Sequence, residues 1–249
     1  MSLTLSKPAG LTVLPPHHDP EGDCILKRLL ADQPWRRDVA WPPGFEGGIA
    51  HRLDNSTSGA VIVADSLEEL AALRAHFRDH RFIKTYLMLA AFEVDWQKRT
   101  CDRPIAHHPR KKNRMVVQAD ENTPHRGKWY PAHSAFQHLH GRLWEVRITS
   151  GVMHQIRAHG GFLGIPVLGD RLYGGTPRNL FPTGNSPQMR FYLHHVGLNG
   201  PDGFHTDPVL IPAWAAVDLD LRRFLADAEN VPGEDDFTRD SETRPEASG

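Results

Sequence analysis

The apolar residues of this chain fall in short runs whose periods differ. Ala60-Val61-Ile62-Val63-Ala64 is unbroken and predicts a buried strand. Leu67, Leu70, Leu73 and Phe77 recur at helical spacing, and Ser66-Leu67-Glu68-Glu69 ahead of them is a capping box, so a helix is predicted to start there. From Phe82 to Ala91 the pattern becomes strand-like, with Ile83, Leu87 and Leu89 on one face and Lys84, Tyr86 and Met88 on the other. The polar members put that second face towards a wet cleft. Arg142 to Thr149 is a further strand, with Trp144, Val146 and Ile148 opposite Glu145, Arg147 and Thr149. Phe191 to Leu198 reads as a late strand, and Gln155 to Leu163 as a short helix weakened by Gly160-Gly161. The Pro- and Gly-rich stretch Pro15 to Gly48 reads as loops around a short helix, Cys24 to Asp32. Strands and helices alternate without a βαβ repeat, which predicts an α+β fold.

Composition narrows the setting. A chain of 249 residues with 39% hydrophobic and 24% charged residues can bury a full core in one domain. It has no apolar run of about 18 residues, so no membrane-spanning helix is expected, and Met1 to Gly10 lacks a signal-peptide layout. The two cysteines, Cys24 and Cys101, form no C-x-x-C pair, and a reducing, cytoplasmic compartment fits. The net charge of −1 averages two unlike parts. Residues 227–249 hold eight of the 30 acids and two of the 29 Lys and Arg, leaving 27 bases against 22 acids in 1–226. The expected organisation is therefore a mildly basic body, 1–226, suited to phosphate contacts, and an acidic, disordered tail, 227–249. The 16 histidines lack metal-ligand spacing, so no metal is expected.

One stretch carries candidate chemistry. His51-Arg52-Leu53-Asp54-Asn55-Ser56-Thr57-Ser58-Gly59 sets a carboxylate between a basic pair and small hydroxyl residues, just ahead of a buried strand. An acid there is costly unless a neighbour holds it ionised. Taken alone, it fits a salt-bridged turn as well as a catalyst. The nine residues resemble the H-R-L-D-x-x-T-S-G signature of the RluA-like pseudouridine synthases. The likeness continues in Lys7-Pro8-Ala9-Gly10-Leu11, Lys84-Thr85-Tyr86, His154-Gln155-Ile156-Arg157-Ala158-His159, Gly164-Ile165-Pro166-Val167-Leu168-Gly169-Asp170 with Tyr173-Gly174, and Leu193-His194. These motifs run in the family's order from about residue 6 to 212.

The resemblance implies a single catalytic domain with a mixed, largely antiparallel sheet, flanking helices and a central cleft; no separate RNA-binding domain is expected ahead of it, although many members of the family carry one. It implies an isomerase that converts specific uridines of rRNA or tRNA to pseudouridine. That reaction involves no redox step and no group donor, so no cofactor is implied. Asp54 is the implied catalytic carboxylate, Arg157 its partner, and Tyr86 the ring against the uracil. Arg52, Lys84, His154 and Gln155 are candidate RNA contacts. The basic stretch from Arg99 to Arg114, with Arg110, Lys111, Lys112 and Arg114, is a candidate backbone grip, and Trp35-Arg36-Arg37 a weaker one. A monomer is expected. Two alternatives stand beside this reading. One is a non-catalytic RNA-binding module on the same fold. The other is a carboxylate-based hydrolase, for which Asp170 is the nearest second acid. The chain departs from the family's T-G-[RK]-T-H-Q-I-R at Val152 and Met153, where a cation and a hydroxyl are lost. It also carries His195 where the family has a small residue.

Overall fold

The computed structural model describes residues 2–16, 18–176, 191–206, 209 and 212. These belong to the unit Met1–Pro212; the predicted tail, 227–249, lies outside the described residues. The described strands are β1 (Leu3–Lys7), β2 (Ser58–Val63), β3 (Ile83–Leu89), β4 (Lys98–Cys101), β5 (Ile105–His107), β6 (Met115–Val117), β7 (Arg126–Tyr130), β8 (Ser134–His140), β9 (Leu143–Ile148) and β10 (Leu193–Asn199). The helices are α1 (Ile25–Asp32), α2 (Leu67–Arg78) and α3 (Gln155–Phe162).

Seven strands form one sheet in the order β1-β2-β10-β3-β9-β8-β4, and three form a second, β6-β5-β7. Within the large sheet β2 and β10 run parallel and the other pairs antiparallel, so the mixed, largely antiparallel α+β expectation holds. The late strand β10 enters between β2 and β3. It thereby brings His195 opposite both Gly59 and Tyr86. Only glycine allows the first of these pairings: at Gly59, φ is +121°, and a Cβ would lie 2.1 Å from the His195 carbonyl oxygen.

Local signals explain the helices. Ser66 caps α2 by accepting a hydrogen bond from the Glu69 amide at 3.1 Å, and the Glu69 carboxylate accepts from the Asp65 amide at 2.8 Å, one residue earlier than a strict capping box. Leu70 and Leu73 then pack with Ile62, Phe82 and Leu198. On β3 the alternation is as predicted, but the face carrying Lys84, Tyr86 and Met88 is not wet. All three are buried, and Tyr86 and Met88 pack with Phe136, Trp144, Val146 and Ile156. That face is the floor of a cavity rather than its solvated wall. In α3, Gly160 does not interrupt the helix. A Cβ there would meet the Ile165 carbonyl oxygen at 2.9 Å, so the glycine lets the 165–173 loop lie against the helix. Arg36, a weak candidate for RNA contact, is 1% exposed and its guanidinium is bonded to Gln33, Gly47, Ala64 and Asp65. It braces the loops after α1.

Candidate active site

The turn bearing Asp54 is tied down from the N-terminal segment. Lys7 is buried, and its ammonium donates to the carbonyls of Pro8, Leu11 and Asn55 at 3.0, 2.6 and 3.0 Å. The Gly10 amide donates to the same Asn55 carbonyl at 2.8 Å, and the Thr57 amide closes the turn onto the Asp54 carbonyl. Burial lowers the Lys7 pKa to about 8, partly opposed by the charge of Asp54. Lys7 stood in a family motif, but its spacing from Asp54 gave no hint of this role.

Asp54 opens into a cavity of about 1180 Å³. Its carboxylate accepts from Arg157 Nη1 at 3.1 Å, and His154 Nε2 stands 3.7 Å away. The other side of the Arg157 guanidinium grips Asp170, with Nε to Oδ2 at 2.7 Å and Nη2 to Oδ1 at 3.1 Å. Burial opposes the charge on Arg157, and its bonds to the two carboxylates more than offset this. The Asp170 carboxylate is fully buried and also caps the Leu172 amide. It has no open face for a water molecule, which removes it as the second acid of a hydrolase.

His154 begins α3 in a left-handed conformation, φ 56°, which costs a residue with a side chain about 1–2 kcal/mol. Tyr173, whose role was also not read from the sequence, holds it there. The Tyr173 hydroxyl accepts from the Met115 amide at 2.8 Å and lies 3.1 Å from His154 Nδ1. With its oxygen so engaged, the hydroxyl proton is free to go to Nδ1. His154 Nε2, on the other edge of the ring, is the atom that stands 3.7 Å from Asp54. Burial lowers the His154 pKa, against the pull of Asp54, so the ring is neutral.

Tyr86 lines the cavity with Asp54 and Arg157. Burial, and then the negative charge of Asp54, push its hydroxyl pKa up, so it remains a phenol. On its far side His195 stacks at 4.6 Å between centroids and 32° between planes. His195 is fully buried and donates from Nδ1 to the Ala60 carbonyl at 2.7 Å. The bulky residue at this position thus narrows the space behind Tyr86.

The remaining candidates divide. Arg52 is exposed at the cavity rim. Lys84 lines the floor but is 8% exposed, its ammonium donating to the Ser150 carbonyl at 2.8 Å, with burial lowering its pKa to about 8. The Gln155 amide is spent inside the protein: Oε1 accepts from Ser150 Oγ and the Val152 amide, while Nε2 donates to His133 O and Ser134 Oγ. Lys84 and Gln155 both line the cavity but spend these polar atoms on the wall beneath Ser150–Val152. Arg110, Lys111 and Lys112 sit on the exposed β5–β6 connection, and Arg114 lies with its guanidinium 5.4 Å from the Tyr173 ring centre. None of these four lines the Asp54 cavity.

A family model described as RNA pseudouridylate synthase matches residues 2–160. Ribosomal large subunit pseudouridine synthase D of Xanthomonas campestris is 34% identical over 177 residues, covering 70% of this chain and 49% of that protein. An uncharacterized RNA pseudouridine synthase of Chloroflexus aurantiacus is 31% identical over 222 residues, covering 88% and 65%. The chain spans about half the length of several of the curated relatives it matches. Among solved structures, human RNA Pseudouridylate Synthase Domain Containing 1 superposes with a TM-score of 0.70 at 21% identity, over 93% of this chain and 92% of that one. Human RNA Pseudouridylate Synthase Domain Containing 4 gives 0.60 at 22%, over 86% and 87%. With a family model matched over more than half its length, the chain belongs to the RNA pseudouridylate synthase family.

Proposed function

We propose that this chain isomerises uridine to pseudouridine in RNA, with Asp54 as the reacting carboxylate and residues 1–226 as the catalytic body. The observation that carries the reading is the gathering of Asp54, Arg157 and Tyr86 on one cavity from three distant parts of the chain. The cavity exceeds the roughly 300–1,000 Å³ of small-molecule sites, in keeping with a polymeric substrate. Relatives named for the ribosomal large subunit favour rRNA over tRNA, and the proposed setting is the cytoplasm.

A uridine flipped from its stack enters with its sugar beside Asp54 and its uracil against the Tyr86 ring. The N1–C1′ bond breaks, and its electron pair leaves with the base. Asp54 either adds to C1′ or takes the C2′ proton to give a glycal. The uracil turns and C5 bonds to C1′, as the Asp54 carboxylate is displaced from C1′ or, in the glycal route, returns its proton to C2′; the C5 proton then departs and N1 gains one, so the product is an isomer. Arg157, anchored by Asp170, holds Asp54 in place. His154 stands beside the same carboxylate, its Nε2 3.7 Å away. Tyr86, remaining a phenol, acts as a stacking surface and hydrogen-bond donor.

The test uses RNA tritiated at uracil C5, taken from cells lacking the protein. The parent is expected to release tritium, and Asp54→Asn to fall by three orders of magnitude or more, since the carboxylate makes and breaks the bond. Free uracil in place of tritium release would indicate a hydrolase. No release by the parent from any cellular RNA would leave a non-catalytic RNA-binding module and sink the proposal.

A further inference from the structure

Among the described residues, five cationic side chains line the Asp54 cavity, and Asp54 is the one acid in that lining. Two of the five are committed: Arg157 to its carboxylates, and Lys84 to the Ser150 carbonyl beneath the floor. The other three, Arg52, Arg74 and Arg78, are exposed at the rim. Arg74 and Arg78 come from α2. There Ala71, Arg74, Ala75 and Arg78 fall at i, i+3, i+4 and i+7, so one stripe of the helix faces the cavity while Leu70 and Leu73 enter the core. The alanines keep this wall low, and the arginines stand above it. Arg74 is steadied by Phe45, its guanidinium 4.1 Å from the ring centre. Arg78 pairs with its neighbour Asp79, an exposed contact worth little and readily exchanged. Elsewhere in the lining, Gly151, Val152 and Met153 carry no charge, and Met153 is 39% exposed. Two of the three exposed cations of the lining thus stand together on α2.

We propose that the α2 stripe, through Arg74 and Arg78, is a phosphate-binding track for the RNA strand that delivers the target nucleotide, and that the uncharged residues 151–153 face its bases. The assignment rests on the RNA reading above. It also explains how the chain does without a cation at Val152: Arg74 and Arg78 supply phosphate contacts from α2. The β5–β6 connection, which looked the stronger grip in the sequence, does not line the cavity.

The experiment compares the parent with Arg74→Gln/Arg78→Gln, Arg74→Lys/Arg78→Lys and, as a control, Lys111→Gln/Lys112→Gln. Tritium release from the RNA above supplies KM and the single-turnover rate at saturation. Anisotropy of a short fluorescein-labelled, uridine-rich RNA hairpin supplies Kd between about 50 and 200 mM salt. Loss of two phosphate contacts to unpaired RNA lowers the slope of log Kd against log salt by about 1.4. The glutamine pair is expected to raise KM and Kd on the order of tenfold at about 0.1 M salt. Its saturated single-turnover rate stays within about twofold of the parent's. The lysine pair, which keeps the charge, restores the slope. An unchanged slope and KM in the glutamine pair would overturn the track, as would a loss confined to the saturated rate. If the parent releases no tritium, the catalytic reading fails separately, and the hairpin affinities still decide whether the wall binds phosphates.

Discussion

Arg157 lies between Asp54 and Asp170, and all three of its side-chain nitrogens are committed there, two to Asp170 and one to Asp54. The two carboxylates have different surroundings and should respond differently to loss of charge. The Asp170 side chain is fully buried, so Asp170→Asn breaks a buried pair and is expected to cost about 3–5 kcal/mol of stability. The Asp54 side chain is 27% exposed to the cavity, and Asp54→Asn should cost less than about 1 kcal/mol while abolishing activity. Urea midpoints of the two variants check this, and equal losses would show that Asp170 is not the anchor. The histidines set a second expectation. Burial lowers the pKa of His195 to about 3 and that of His194 to about 4, both below the usual value near 6.5. As pH falls below 6.5 the unfolded chain takes up protons that the folded chain refuses. Their contribution to stability is thus complete above about pH 6.5 and is lost progressively as pH falls towards 3–4. Each histidine contributes up to about 1.4 kcal/mol per pH unit in that window. Urea unfolding at several pH values should show this slope, and His195→Gln should flatten it. An unaltered slope in that variant would mean that His195 already carries a proton in the native state.

At the scale of elements, α3 shows why propensity alone misleads. The segment contains two glycines, yet the helix runs through them, because Gly160 is where the 165–173 loop must approach. Gly160→Ala should gain about 1 kcal/mol in helix propensity. It also drives a methyl to 2.9 Å from the Ile165 carbonyl oxygen. Backbone must then move, so a net loss of stability is expected, with reduced activity because the same helix carries Arg157. Thermal unfolding with the tritium assay reads both, and a rise in Tm would refute the close approach. His159 anchors this helix from below, its Nε2–H donating to the Arg103 carbonyl and its Nδ1 accepting from Ser134 Oγ. The long-period elements, α2, β3, β9 and β10, were legible because each repeats its pattern over six or more residues. The three-residue strands β5 and β6 were not, since three residues are too few to show a period, and their basic connection read as a candidate backbone grip.

For the whole molecule, pairing decides what stands next to what. Insertion of β10 between β2 and β3 places His195 against Tyr86, and the front face of β3 becomes a buried floor. No helix among the described residues is long and apolar enough to cross a membrane. The chain by itself determined the main elements, and its likeness to a known family implied the largely antiparallel sheet and Asp54, Tyr86 and Arg157 as the central candidates. These depend on local periodicity and on short motifs, which are written in consecutive residues. Tertiary structure alone decided that Asp170 shares Arg157 with Asp54 and that Lys7 clamps the Asp54 turn. It also decided that Tyr173 orients His154, that Lys84 and Gln155 face inward, and that the exposed cations at the cavity rim come largely from α2. Each of these depends on where a side chain ends among partners tens of residues away. Hydrogen-bond direction, burial and charge balance belong to that assembled neighbourhood and leave no period in the sequence.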